Sequence, residues 1–460
     1  MPRPELTREL ESSANWTPQG GEERRQLLGD ELQRFNADLE PEVRQAKLRK
    51  LEASPFAFYR GTAHLYYRDL AHDDTVSRSN FKNPETTTWI QGDMHLQNIG
   101  AFADDDGQVV FDLNDFDEGV VSHYHYDVWR MASSIVLAAE ETGNFDPVAI
   151  DGFVDTFSES YLDTLADYRG NDDEEDFQLR AKNAKGPLDE FLEEVEEDES
   201  REKMLDKWTT GGEDGRRRFR DRPGESSKLA EVSEAEAAAL TAAVADYHPR
   251  LRSDLAGDED YFAVKDVAAR LDAGTGSLGT PRFYVLVEGE TDRADDDVIL
   301  DVKQQGWPAL APHLGAEAMA DLRARYGDDP AARVVEAQRA MGTDVDDHLG
   351  TLQVFEGAFS VRERSPYKES FETQDLDDDG DFAKLAAQWG TILATAHARA
   401  DRDFRAGVVT HGFEQAVDDL TDGRHAEFRA EVRSVARGYA DQVMTDYRLF
   451  LGLRADGDLD

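Results

Sequence analysis

The stretch Thr86–Gly119, TTTWIQGDMHLQNIGAFADDDGQVVFDLNDFDEG, decides how the rest of the chain is interpreted. An apolar, β-rich segment ends just before Asp93, and the amide Asn98 follows five residues later. After an acidic turn, a second β run leads to further carboxylates, which include Asp115. Two strands joined by a turn would hold these three side chains close together. Their oxygen atoms suit a hard cation such as Mg²⁺, and one acid would be left to orient a hydroxyl, as phosphoryl transfer requires.

The composition limits the size, the chemistry and the surroundings that the protein can have. The chain has 460 residues, enough for two lobes around a cleft, and it contains no cysteine. Its formal net charge is −47, and so acidic a surface repels itself in dilute buffer. At molar salt the screening length falls to about 3 Å, so we interpret the composition as adaptation to a highly salted cytoplasm. Most acidic runs are then solvated surface.

The charge and hydropathy also exclude some partners. Nucleic-acid binding requires a basic surface, which this composition does not offer. No apolar run approaches 18 residues, and the first ten residues lack the apolar centre of a signal peptide. We therefore expect a cytoplasmic protein without a nucleic-acid or membrane partner.

Changes in composition divide the chain into four predicted regions. We expect a flexible N-terminus at 1–20, a helical lobe at 21–255, a β-rich lobe at 256–366 and C-terminal helices returning to the helical lobe at 367–460. The acidic, glycine-containing stretch 170–233 is interpreted as a surface insertion with short helices. In a sharper alternative, its basic cluster Arg216–Arg222 forms a lid over a substrate or phosphate.

Gly274, Gly276 and Gly279 form a G-x-G-x-x-G pattern, which two different folds use. In a dinucleotide-binding fold the glycines open a helix. Here Thr280-Pro281 and a β-rich run without helical periodicity follow them. A strand, a glycine turn and a second strand instead predict a hairpin whose backbone N–H groups approach phosphates, with Ser277 inside the turn.

A third β run, Val298–Lys303, ends in a lysine. A lysine directly after a glycine hairpin is placed to neutralise phosphate charge, and its expected partner is a glutamate on the next helix. Glu336 is the preferred candidate, and Glu317 is an alternative. The glycines, Ser277, Lys303 and Glu336 are therefore the predicted nucleotide-binding residues.

Local motifs carry a resemblance to known enzymes. Gly92–Asn98 (GDMHLQN) resembles the G-D-x-H-x-x-N catalytic loop of aminoglycoside and choline kinases. Asn114–Asp117 (NDFD) resembles their I-D-F segment, the counterpart of the protein-kinase D-F-G. Asp127, in Tyr-Asp-Val-Trp, resembles the buried aspartate that opens the next helix and braces the catalytic loop.

The whole chain is also identified as a member of the family called domain of unknown function 2252. The resemblance covers roughly residues 20–450. Three blocks carry it: SPFAFYRG; GDMHLQNIGAF with FDLNDFDEG and YDVWRMASS; and GTGSLGTPRFYVLVEG with VILDVK.

The kinase resemblance implies an α+β, bilobal, protein kinase-like fold with a small antiparallel β lobe and a large helical lobe. In ordinary kinases the glycine loop and lysine precede the catalytic loop, whereas here they follow it by roughly 180 residues. A circular permutation accounts for this order, because contacts within a fold do not depend on where the chain is cut. Residues 382–399 resemble the helix that normally leads into the catalytic loop. The permutation requires Lys303 to lie within about 15 Å of Asp115, the gap that a triphosphate can bridge.

The resemblance also implies roles for individual residues. Asp93 would orient or accept the proton of an acceptor hydroxyl. Asn98 and Asp115 would hold Mg²⁺, and Lys303 would neutralise the phosphates of ATP. The predicted function is an ATP- and Mg²⁺-dependent phosphotransferase that acts on the hydroxyl of a small molecule.

Four further residues are expected to support this site. His95 and Asp127 would brace the catalytic loop, and Asp112 and Asp117 are supporting acids whose roles the sequence leaves open.

Three other functions stay open at this stage. A close variant transfers the AMP moiety of ATP instead of its γ-phosphoryl group. A nucleotide-binding scaffold without catalysis has no need of Asp93. A metal-dependent phosphoesterase would use Asp93-Met-His95 as a D-x-H metal motif, but it needs downstream histidine-rich blocks that the sequence lacks.

Overall fold

The computed structural model describes residues 14–211, 216–220, 228–251, 262–271, 274, 276, 278–291 and 293–459. The described helices are α1 (Gly21–Phe35), α2 (Pro41–Leu51), α3 (Pro55–Arg60), α4 (Ala63–His72), α5 (Thr75–Arg78), α6 (His125–Thr142), α7 (Pro147–Tyr168), α8 (Asp173–Asp176), α9 (Pro187–Asp198), α10 (Arg201–Trp208), α11 (Glu234–Tyr247), α12 (Ala316–Tyr326), α13 (Pro330–Met341), α14 (Asp379–Arg399), α15 (Arg402–Arg405), α16 (Phe413–Thr421) and α17 (His425–Asp456). The described strands are β1 (Thr87–Ile90), β2 (Ile99–Ala103), β3 (Val109–Leu113), β4 (Val120–His123), β5 (Thr209–Gly211), β6 (Arg217–Phe219), β7 (Leu229–Ala230), β8 (Val264–Arg270), β9 (Arg282–Val287), β10 (Val298–Gln304), β11 (Gly350–Val354) and β12 (Gly357–Glu363). The mixed α+β class expected from the sequence is confirmed, with small antiparallel sheets and a larger helical part.

The largest sheet has six strands in the order β11-β12-β10-β9-β8-β7, and every neighbouring pair is antiparallel. The predicted hairpin around the glycines is confirmed, since β8 and β9 flank them and pair with each other. The third strand, β10, pairs with β9 and aligns Lys303 with Arg282. Because side chains alternate across a strand, Asp301 and Lys303 lie on one face of β10 while Leu300 and Val302 are buried on the other.

Each face of this sheet is covered by a helix that precedes β8 in the chain. α11 packs Leu240 and Val244 against one face, in a core that includes Leu300. α10 packs Trp208 against the other face, where Tyr284 lies. The boundary predicted at residue 255 is therefore wrong: α10, α11 and the strands between them belong with the β-rich part.

The helical part is built around α6, α7, α14 and α17, whose apolar faces share one core. Helix α9 contributes to this core through Leu188, Leu192 and Val195, which recur at helical spacing. The interpretation of 170–233 as a surface insertion is thus wrong for its described part, because α9 and α10 each bury an apolar face. No described helix combines the length and the apolar composition of a membrane-spanning segment.

The N-terminal segment is attached firmly to the far end of the chain. Of the predicted flexible region 1–20, residues 1–13 lie outside the described residues. Trp16 is buried, and its indole N–H donates to Gln442 Oε1 on α17 at 3.3 Å. The described part of the predicted flexible region is therefore packed, because α17 supplies a buried surface for it.

Candidate functional site

Hydrogen bonds bring together the residues whose side-chain oxygens were predicted to act at the site, Asp93, Asn98 and Asp115. A single 3₁₀ turn, Leu96–Asn98, follows Asp93, and the Asn98 side-chain N–H donates to the Asp93 carbonyl at 2.8 Å. The backbone N–H of Asn114 donates to the Asn98 carbonyl at 3.1 Å, which places Asp115 beside the same turn. Gln91 also connects the two segments: its side-chain oxygen accepts from the Asp93 N–H and its side-chain N–H donates to the Asp115 carbonyl. The predicted proximity of Asp93, Asn98 and Asp115 is confirmed.

The Asp93 carboxylate is held by Arg130, a fully buried residue of α6. Arg130 donates through Nε at 2.8 Å and through a terminal nitrogen to the same oxygen, while the second Asp93 oxygen lies 3.8 Å from His95 Nε2 and makes no hydrogen bond within the described residues. Burial raises the pKa of Asp93 to about 6; Arg130 opposes this rise and the charge of Asp115 adds to it. At neutral pH the group is therefore an ionised carboxylate close to its pKa, as a general base requires.

Gly92 shapes the backbone at the start of this loop. Its φ is +87°, and a Cβ atom there would overlap the backbone carbonyl of Glu118. Only glycine adopts this φ without strain and has no Cβ atom to overlap Glu118. The close approach of the Gly92 and Glu118 segments therefore depends on this glycine.

Asp127 supports the loop from below, as the resemblance implied. It is fully buried and accepts the backbone N–H groups of Gln91 and Gly92 at 2.6 and 3.0 Å. His397 of α14 lies 3.3 Å from the same carboxylate. One side chain thus joins the catalytic loop, α6 and α14.

Replacing Asp127 by Ala is expected to lower the free energy of unfolding by about 2–5 kcal/mol, because two buried N–H groups would lose their acceptor. Urea unfolding at a fixed molar KCl concentration measures the loss. Asp151→Ala is the matched control, since its ion pair with Arg437 is partly exposed to solvent and worth about 1 kcal/mol or less. Equal losses in the two variants would contradict the bracing role of Asp127.

The structure corrects the expected partner of Lys303. Its ammonium group pairs with Asp117, and Gln305 donates to the other oxygen of that carboxylate at 2.8 Å. Glu336 pairs instead with Arg405 at 2.8 Å. The proposed Lys303–Glu336 pair is therefore wrong, and Asp117 takes the position of the expected glutamate.

Helical phase explains this correction. Val334 and Gln338 of α13, four residues apart and thus on one face, line the small cavity that contains Lys303. Glu336 lies midway between them in sequence, so its side chain leaves the opposite side of the helix. The residue that faces the cavity is Gln338. The alternative partner, Glu317, lies in the first turn of α12 and has no contact with Lys303 among those described.

The glycine turn rests on α2, which the sequence did not implicate. Lys47 donates to the Gly276 carbonyl at 2.8 Å and Lys50 donates to the Gly274 carbonyl at 3.1 Å. Gly279 has a φ of +90°, in the region that favours glycine, and it lies against Leu39. Ser277, the remaining predicted residue of the turn, lies outside the described residues.

The residues predicted to hold Mg²⁺ fit such an ion by their chemistry. Because the amide nitrogen of Asn98 is engaged with the loop backbone, its Oδ1 remains available as a ligand. Asp115 adds a carboxylate, so the donor set consists of hard oxygens. His95 is fully buried and burial keeps its pKa well below the ordinary value, so a neutral imidazole packs beneath the loop. Asp112 lies 3.4 Å from Arg399, and burial raises its pKa.

A cavity of about 560 Å³ adjoins the lysine site between the large sheet and the β2–β3 hairpin. Its volume lies within the range of small-molecule sites. Phe116, Arg282 and Arg362 line both this cavity, which we call the main cavity, and the small cavity with Lys303 and Asp115. The two are therefore continuous parts of one cleft.

Sequence reasoning missed several residues of this site, among them Arg130 and Lys47, and of these two only Arg130 left a signal. Arg130 follows Asp127 by three residues on a helix that is otherwise apolar, so a charged pair on one buried face could have been noticed. Lys47 sits in an ordinary amphipathic helix, and its contact with the glycine turn spans 229 positions. Only the tertiary fold reveals that contact.

Comparisons with known proteins place the chain in a family. No curated protein and no solved structure matches it. Residues 39–453 match the family described as "Uncharacterized protein conserved in bacteria (DUF2252)". Because the match covers most of the chain, the protein belongs to the DUF2252 family.

Proposed function

We propose that the protein is an ATP- and Mg²⁺-dependent phosphotransferase with a bilobal, circularly permuted, protein kinase-like fold, acting on a hydroxyl of a small molecule. The observation that carries this proposal is the pair between Lys303 and Asp117, which joins motifs 186 positions apart. Asp117 in turn donates its backbone N–H to Asp115 at 3.4 Å. Lys303 therefore meets the distance that the permutation requires.

The position of α14 also supports the permutation. The carbonyl of His397, in the last turn of this helix, accepts a hydrogen bond from the Thr88 hydroxyl of β1 at 2.9 Å. The strand β1 leads directly into the catalytic loop. A helix that ended at Arg399 and continued into β1 would restore the chain order of ordinary kinases.

The residues of the cleft divide the chemistry among them. Asp93 takes up the proton of the attacking hydroxyl, and Arg130 fixes the direction of its carboxylate. Lys303 and the N–H groups of the glycine turn stabilise negative charge on the phosphates. Asn98 and Asp115 would hold Mg²⁺, which supplies charge neutralisation at the phosphate oxygens when bound.

A non-catalytic scaffold and a metal-dependent phosphoesterase each account for fewer features of the cleft. A scaffold without catalysis gives no reason for a partly buried aspartate beside Asn98 and Asp115. A phosphoesterase that uses His95 as a metal ligand conflicts with its full burial and leaves Lys303 unexplained. The phosphotransferase accounts for both halves of the cleft.

Thermal unfolding with ligands tests the proposal. In molar KCl with Mg²⁺, millimolar ATP is expected to raise the Tm, because binding at 100 times Kd stabilises the folded state by about 2.7 kcal/mol. Lys303→Met should lose most of this rise. Lys384→Met is the control, since that residue pairs with Asp381 on the surface. No stabilisation of the unmodified protein by any nucleoside triphosphate would refute the proposal.

A further inference from the structure

The main cavity carries positive charge that so acidic a chain does not lead one to expect. Arg270, Arg362, Arg364 and Lys368 all line it. Arg270 and Arg364 lie over the ring of Trp208, with the guanidinium carbon 5.4 and 5.0 Å from the ring centre. The three arginines donate to backbone carbonyls, and none of the four residues forms a close ion pair with a carboxylate within the described parts of the chain, although the charges of Arg362 and Lys368 act on Asp301.

Four of the seven carboxylates of the same wall are paired with groups other than these four cations. Three of them are already engaged by other cations: Asp301 by Arg282, Asp112 by Arg399 and Glu363 by Arg201. Asp346 pairs with His348 at 2.7 Å. The remaining three, Asp344, Glu369 and Glu372, are exposed.

The pKa of Lys368 is affected by the positive charge of its neighbours. Lys368 lines the main cavity and is an exposed residue, as Asp344, Glu369 and Glu372 are. Desolvation by the cavity wall lowers the pKa of Lys368 to about 7; the charges of Arg362 and Arg282 add to this decrease, and those of Asp301 and Asp115 oppose it. A bound anion would relieve that repulsion.

The position of the main cavity indicates which part of a substrate enters it. Asp93, the proposed base, does not line the cavity. Asp115 lies near both Asp93 and the main cavity. Its charge acts on Asp93, and its chain neighbours Asn114 and Phe116 line the cavity. In an in-line displacement the leaving group departs on the side opposite to the attacking oxygen. A leaving group that departs away from Asp93 can enter the main cavity, which Asp93 does not line.

We propose that the main cavity binds the two terminal phosphates of a nucleoside triphosphate, so that the protein transfers a nucleoside monophosphate rather than the γ-phosphoryl group. This inference rests on the proposed function and specifies its reaction. A γ-phosphoryl transfer would leave the nucleoside in this cavity, where a predominantly apolar wall would suit it. Arg362, Lys368 and their neighbours instead suit pyrophosphate, whose oxygens take charge-assisted hydrogen bonds.

The step balances without a further reactant. The oxygen of the acceptor hydroxyl forms a bond to the α-phosphorus, and the bond from this phosphorus to the oxygen that bridges to the β-phosphorus breaks. The hydroxyl proton passes to Asp93. Pyrophosphate carries the electron pair of the broken bond and leaves from among Arg270, Arg362, Arg364 and Lys368.

Calorimetric binding of inorganic pyrophosphate tests this inference. In molar KCl with Mg²⁺, pyrophosphate is expected to bind the whole protein and to compete with ATP, whereas adenosine and equimolar sulfate are not. The double variant Arg362→Met/Lys368→Met should weaken pyrophosphate binding at least tenfold. Arg405→Met removes one positive charge from a different cavity, which Glu336 lines, and should leave pyrophosphate binding unchanged.

The outcomes separate this inference from the proposed function. If ATP binds but adenosine competes with it and pyrophosphate does not, the inference fails while the phosphotransferase stands. Unchanged pyrophosphate affinity in the double variant would also overturn it. Where ATP is consumed with water as the acceptor, AMP and pyrophosphate are the expected products, and ADP with phosphate would overturn it. If neither ATP nor pyrophosphate binds, both proposals fall.

Discussion

Replacing Asp93 by Asn is expected to reduce transfer from ATP by about 10²–10⁴-fold, the usual contribution of a positioned base, while ATP still binds. The amide keeps the shape of the carboxylate but cannot accept the hydroxyl proton. Transfer of label from ATP in molar KCl measures the first effect, and the ATP-induced rise in Tm measures the second. In the unmodified protein, transfer should rise with pH around a midpoint of about 6, because only the ionised Asp93 accepts a proton. The variant should lack this rise.

A control must separate the loss of the base from the loss of an ion pair, since the variant leaves Arg130 without a carboxylate. Asp112→Asn is matched in this respect: Asp112 also lies in the cleft and pairs with an arginine, Arg399. Its transfer rate should stay within about tenfold of the rate of the unmodified protein. A decrease of that size is smaller than the decrease of about 10²-fold or more that the loss of a positioned base causes. Full turnover in Asp93→Asn would exclude Asp93 as the base.

The second large effect is one of stability, and it is expected far from the cleft. Arg24 of α1 forms ion pairs with Asp69 of α4 and Asp446 of α17 at 2.6 and 2.5 Å, and all three side chains are almost fully buried. Burial disfavours the charge of the guanidinium, but its hydrogen bonds to both acids raise the pKa of Arg24 above its ordinary value. Replacing Arg24 by Met is expected to lower the free energy of unfolding by about 3–5 kcal/mol, because two buried carboxylates lose their cation.

Urea unfolding at fixed KCl measures this loss. Arg25→Met is the matched control, because the neighbouring arginine pairs with the exposed Asp456 and should lose about 1 kcal/mol or less. Changing Asp69 and Asp446 to Asn in addition to Arg24→Met should recover much of the stability, since no buried charge then lacks a partner. A loss in Arg24→Met no greater than in Arg25→Met would contradict this account.

Local patterns were the part of the fold that the sequence could predict. The hairpin around the glycines, the strand of Lys303 and the approach of Asn98 to Asp115 depend on residues close together in the chain. The partner of Lys303 does not, because it depends on which side of α13 faces the cleft. The chain places Gln338 there, and the acid comes from Asp117, a residue that the kinase resemblance left uncertain.

The misplaced region 170–233 has a different cause. Its high acid content suggested a solvated surface, yet Leu188, Leu192 and Val195 recur at helical spacing and Trp208 ends the next helix. Most acidic residues of these helices occupy exposed positions and leave the buried face apolar. In so acidic a sequence, the spacing of the apolar residues is therefore a better guide than mean hydropathy.

The packing of α1 against α17 has a consequence for how the protein is made. Leu28 and Leu32 of α1 are buried in the same core as Leu453, and Arg24 finds Asp446 only in that late helix. A ribosome produces α1 early, and Asp69 follows Arg24 by 45 positions, but the second carboxylate partner of Arg24, Asp446, follows only after 422 positions. The large sheet can pair its own strands during that interval. Vectorial synthesis should thus leave the helical part open, and in need of protection from aggregation, until residues 425–456 emerge.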